Sequence, residues 1–134
     1  MNSRAILSTL WIFAVLNYLY CDVVSFMDSG LLKQYLAGSV GGIEITQGFL
    51  MAGAVLMEIS IGMVLLSRVL PFKANRIANT VAGVITTSAQ AATLFLGKPA
   101  MYYLFFSVIE ISCTVFIVVY ARKWLKPDKG PAAA

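Results

Sequence analysis

Two glutamates, Glu58 and Glu110, each fall near the middle of a long apolar run. A carboxylate at that depth costs at least a few kcal/mol in hydrocarbon, so such acids are normally turned into a bundle and kept for a task. The chain has no histidine, and no lysine or arginine lies mid-run to pair with either acid. Two like charges brought together in low dielectric cannot both stay ionised cheaply, so a proton or a cation is called for. Around the two acids the spacing places Thr86 and Gln90 on one face of their run, with Asn17 and Asp22 approaching from the end of the first run. The set Glu58, Glu110, Gln90, Thr86, Asn17 and Asp22 is therefore the candidate proton- or ligand-binding site. Its purely structural alternative is a pair of protonated acids bonded to backbone carbonyls.

The elements that must carry these residues are membrane helices. Hydrophobic residues make up 60% of the 134, and the mean hydropathy of +0.84 is more than a soluble core absorbs. Four runs reach the length of about 20 residues that a bilayer requires: 5–27, 48–70, 77–96 and 100–121. The expected fold is all-α, a four-transmembrane-helix bundle forming a single domain. The loop 28–47 is expected outside the membrane and the tail 125–134 disordered.

Charge distribution supplies the topology. Arg4, Arg68, Lys73, Arg76, Arg122, Lys123, Lys126 and Lys129 gather at one end of the runs, with only Lys33 and Lys98 at the other. The positive-inside rule then places both termini in the cytoplasm, as for a multi-pass protein of a bacterial inner membrane. The net charge of +4 is thus a topology signal, and nucleic acid is not an expected partner. The first run resembles an export signal, but Tyr20 stands before Cys21 where a lipoprotein site needs a small residue, and no A-x-A site follows, so it is read as a retained helix. Cys21 and Cys113 fall at different depths and are not expected to form a disulfide.

Within the runs, periodicity assigns faces. Ala54, Glu58 and Gly62 form one stripe, with small residues flanking the acid so that a neighbouring helix can shield it. Asn79, Gly83, Thr86, Gln90 and Thr93 form a second stripe, and Tyr103, Ser107, Glu110 and Thr114 a third. In the first run, Asn17 and Cys21 share one face, and Tyr18 and Asp22 the adjoining one. In the loop, Leu31, Leu32, Tyr35 and Leu36 are spaced for a short amphipathic helix that Gly38, Gly41 and Gly42 should end, either lying on the membrane or covering the bundle mouth. Thr46 suits the N-cap of the second span.

Several chemistries drop out. Without histidine the chain alone builds neither a His-ligated haem nor a usual zinc or di-iron site, and no Gly-rich phosphate loop is present. No cofactor is expected. Three functions fit what remains. The acids could bind protons or a small cationic or polar ligand, as in a transporter; they could serve as acid and base on a lipid-soluble substrate; or they could face a helix of a membrane partner or a second copy in a homo-oligomer.

The segment LMEISIGMVLLSRVLPFKANRIANTVAGVI, from Leu56 to Ile85, resembles the second helix and following turn of DoxX-like four-helix membrane proteins. Its acid is followed four residues on by glycine, then by a leucine-rich end and a basic turn. Glu58 and Gly62 are the positions the likeness carries over, and it implies an accessory or assembly subunit of a membrane redox system. With N-Y-L-Y-C-D closing the first run and F-F-S-V-I-E in the fourth, the whole chain resembles a group of small bacterial membrane proteins described as a domain of unknown function. The four-span size is also similar to that of small multidrug-resistance transporters, which place their acid in the first helix, where this chain has Asp22 only near the outer end.

Overall fold

The computed structural model describes residues 2–127. It is all-α: α1 (Ser3–Met27), α2 (Ser29–Leu36), α3 (Gln47–Val69), α4 (Phe72–Thr93) and α5 (Met101–Lys123), with a two-stranded hairpin, β1 (Ser39–Val40) and β2 (Ile43–Glu44), between α2 and α3. The first four helix starts have a local cause. The Asn2 side chain accepts from the Ala5 N–H, Asp28 ends α1 and caps α2 through Gly30 and Leu31, and Thr46 accepts from the Phe49 N–H at 3.1 Å, the N-cap its sequence position implied. Pro71, lacking an N–H, separates α3 from α4. Gly41 and Gly42 both take positive φ at the hairpin tip, the two-residue turn that the right-handed twist of paired strands favours.

α1 packs on α3 and α5, and α4 on α5 and α3, so the four long helices close a ring in the order α1, α3, α4, α5. Many large apolar side chains face outward. α1, α3 and α5 are long and apolar enough to cross a membrane. α4 matches them in length, with 22 residues or about 33 Å of rise, but it carries Lys73, Asn75, Arg76, Asn79 and Gln90 and is too polar to stand with them on composition. Its buried face is Asn75, Asn79, Ala82, Gly83 and Thr86, so both asparagines turn inward while Lys73 and Ser88 stay exposed.

The tightest packing lies toward the basic end, where Leu7, Trp11, Ala14, Met63, Ala82, Ile117 and Ala121 form the core. A polar cluster runs through it. Trp11 Nε1 donates to Asn79 Oδ1 at 2.7 Å, Ser67 Oγ donates to the same oxygen at 3.2 Å, and the Asn79 amide donates to Asn75 O and Oδ1. Ser8 donates to Val64 O and accepts from Arg68 Nε. Every one of these groups is satisfied, which is what a buried network requires to hold a bundle in one register.

The opposite, loop end is looser. Every α3 residue from Gln47 to Val55 is exposed, so this stretch stands clear of the ring while α1, α4 and α5 continue. The expected amphipathic helix of the loop is α2. Tyr102 Oη donates to Asp28 Oδ2 at 3.0 Å, tying the α1–α2 corner to α5, and a Cβ on Gly41 would stand 3.4 Å from Leu96 O, so the hairpin rests against the α4–α5 turn. The loop lies across the end of the bundle. Cys21 and Cys113 are both free and buried. Of the tail expected to be disordered, residues 128–134 lie outside the described residues.

The α3 stripe is the principal correction. Ala54 and Glu58 are exposed and Gly62 is half-buried, whereas Ser60, Met63 and Ser67 are the buried positions. Glu58 and Glu110 therefore do not face a common interior. The cost of exposing an acid favours the Glu58 stripe, but Ser60, Met63 and Ser67 also recur at helical spacing and bury no charge: the Ser67 hydroxyl and carbonyl meet Asn79 and Asn75, and the Ser60 hydroxyl turns back to Leu56 O.

Candidate functional site at Glu110

On α5 the helical repeat carries Ser107, Glu110 and Thr114 inward, as the sequence stripe indicated, and all three are buried. Glu110 is 1% exposed. Both of its carboxylate oxygens are sealed from solvent without a hydrogen-bond partner. So is the hydroxyl of Tyr18, brought in from α1. Tyr18 lies beside Thr86 on α4, but the Thr86 hydroxyl is turned to its own helix, donating to Ala82 O at 2.9 Å. Tyr18, Cys21, Asp22 and Tyr103 are all within electrostatic reach of Glu110.

The polar groups around this point are paired. Gln90 Nε2 donates to Ser107 Oγ at 2.9 Å, Tyr103 Oη donates to Thr93 Oγ1 at 2.6 Å, Thr93 donates to Gln90 O, and Thr87 donates to Thr114 Oγ1 at 2.7 Å. Three of these bonds, from Gln90, Tyr103 and Thr87, fix α4 against α5. Among them the Glu110 carboxyl is left unanswered. Buried polar groups are nearly always bonded, and an unpaired buried carboxylate is among the costliest groups in a fold.

Among the described residues no basic side chain enters the constellation, since each lysine and arginine there lies near a helix end, in a turn or just past α5. The neighbouring acid is Asp22 and not Glu58, so the like-charge partner foreseen for Glu110 exists on a different helix. Asp22 stands on the exposed side of α1, one turn beyond Tyr18 toward the loop end. Over it comes Tyr35 of α2, which meets the Phe26 ring edge-on at 6.0 Å. Burial first, and then the nearby Asp22 carboxylate, raises the Tyr35 phenol above its ordinary pKa.

Of the six residues singled out from sequence, Glu110, Thr86, Gln90 and Asp22 thus gather where α1, α4 and α5 meet. Asn17 does not contribute its amide, which donates to Phe13 O at 2.8 Å on its own helix. Glu58 points away. Tyr18, absent from that set, takes Asn17's place, and the signal for it was its i,i+4 relation to Asp22. No group of acids and cysteines suited to a metal ion occurs among the described residues.

A ring of four long helices, three of them apolar enough to span, with a sealed and unanswered carboxyl inside, defines a helical protein of the membrane type. The chain belongs to the Family of unknown function (DUF6326), whose model matches residues 1–130. That membership agrees with the resemblance to an uncharacterised family; it lends nothing to the DoxX likeness. Comparison with curated proteins and with solved structures returns no match.

Proposed function

We propose that this protein is a four-span bundle, with both termini on the cytoplasmic side of a bacterial inner membrane, that binds a proton or a small cationic ligand at Glu110. The observation that carries the reading is the sealed Glu110 carboxyl, neither oxygen of which has a hydrogen-bond partner, with the Tyr18 hydroxyl within electrostatic reach of it. A positive charge at that point answers the carboxylate, and the hydroxyl supplies a neutral ligand or a hydrogen bond. Asp22, on the exposed side of α1 toward the loop end, is a way-station of the same sign for a cation arriving from that side. α4 counts as the fourth span because its polar face is buried against its neighbours, which is how intramembrane polar residues are tolerated.

The reading is transporter-like or ligand-binding, and infrared difference spectroscopy of the protein in lipid tests it. Changing from acid to alkaline buffer, or adding Na+ or tetramethylammonium, should alter a carboxyl band that Glu110→Gln removes. Loss of no band in Glu110→Gln, or no response to either treatment, overturns the reading. Flux in proteoliposomes then separates transport from binding alone.

A further inference from the structure

Glu58 occupies the position on α3 that hydrocarbon suits least. It lies midway between Gln47 and Val69, about 16 Å of helical rise from each. Its residue is exposed, and no described residue bonds to it. Facing lipid at that depth, a carboxyl has no donor or acceptor to meet, and such residues are almost always turned toward protein or water. The same side of α3 carries Met51, Ala54 and Leu65, all exposed, and Gly62. Nothing stands within 4 Å of where a Cβ on Gly62 would lie. Small residues one turn to each side of the acid leave room for another backbone to approach.

We propose that this face of α3 is the interface between two copies of the chain, paired about a two-fold axis along the membrane normal, with Glu58 meeting the partner subunit's Glu58. A two-fold axis brings each residue opposite itself at its own depth, and a protonated carboxyl is its own complement, donating one hydrogen bond and accepting another. Ala54 and Gly62 allow the close crossing this needs. Pairing of this kind leaves the Glu110 site untouched, because Glu58 faces out of the ring and Glu110 is buried within it.

The test uses the full chain in lipid, with Cys21→Ser and Cys113→Ser removing the native thiols. Ala54→Cys and Gly62→Cys should cross-link between copies under mild oxidation, while Thr9→Cys on α1 and Ser112→Cys on α5, also exposed, should not. Counting fluorophores per particle as lipid dilutes the protein should show dimers. Glu58→Leu should weaken dimerisation roughly 3- to 30-fold, the worth of one or two hydrogen bonds between membrane helices, and Glu58→Gln, whose amide also pairs with itself, should stay near the parent. Single copies at every dilution, an undiminished Glu58→Leu dimer, or cross-linking through Ser112→Cys in place of Ala54→Cys overturns the proposal. Should Glu58→Leu fail to fold, the cross-linking pattern still decides.

Discussion

Trp11 on α1 reaches across the ring to donate its indole N–H to Asn79 Oδ1 on α4 at 2.7 Å. The same oxygen takes the Ser67 hydroxyl from α3, so one amide gathers three helices. Asn79→Ala would strip partners from Trp11, Ser67 and Asn75 together. Hydrogen bonds between membrane helices average only about 0.6 kcal/mol, because the unfolded chain in lipid finds substitutes, but orphaning buried donors adds to that. The expected loss is about 1–2 kcal/mol for Asn79→Ala, and about half as much for Ser67→Ala, which leaves Trp11 bonded. Unfolding in mixed detergent micelles measures both, and equal losses would mean that Asn79 is not the hub.

Gly83 is where α4 and α5 come closest. A Cβ there would stand 2.5 Å from Val118 Cγ2 and 3.4 Å from Thr114 O, and the second contact is backbone that cannot swing away. Gly83→Ala should therefore destabilise by about 1–3 kcal/mol through overpacking. Gly53→Ala is the matched control: nothing lies within 4 Å of its Cβ, and alanine in a helix interior should add about 0.5–1 kcal/mol. Opposite signs in the same unfolding assay are the expected result.

These two positions show what was legible in the sequence and what was not. The stripe of Asn79, Gly83 and Thr86, and the stripe of Ser107, Glu110 and Thr114, point inward as their spacing implied, because polar groups in an apolar helix have few other places to go. The α1, α3 and α5 boundaries lie within two residues of the hydrophobic runs. α3 offered two stripes, one with an acid and one with serines, and periodicity gives a stripe without saying which neighbour claims it. The Asn75–Asn79 cluster decided for Ser67, and that coupling between helices is invisible along a single chain. The substitution of Tyr18 for Asn17 has the same origin: adjacent helical residues differ by about 100° in direction, and which of them meets Glu110 depends on how α1 is rotated against α5.

Tyr35 offers a reading of how α2 sits over α1. Its phenol is held above the usual pKa by burial and then by the Asp22 charge, so Asp22→Asn should lower it. Because the folded value exceeds the unfolded one, near 10, the neutral phenol stabilises the fold at lower pH, and that contribution fades as pH rises through the folded value. Titrating the Tyr35 Cζ resonance in selectively labelled protein, with Tyr35→Phe to assign it, checks the direction. An unchanged Tyr35 titration in Asp22→Asn would remove α2 from the neighbourhood of that acid.

Tyr18→Phe separates a binding role from a structural one. The Tyr18 hydroxyl is buried beside Thr86 with no well-aligned hydrogen bond, so deleting it should change stability by no more than about 1 kcal/mol in either direction. If the hydroxyl serves a cation held at Glu110, the same substitution should reduce the thermal stabilisation that Na+ or tetramethylammonium gives, and Glu110→Gln should abolish it. The reverse pattern, a less stable protein that responds to the cations as before, would assign Tyr18 to the fold. The decision is sharp because the neighbouring hydroxyls of Thr86 and Thr93 already donate to backbone carbonyls of their own helix and Ser107 already accepts from Gln90.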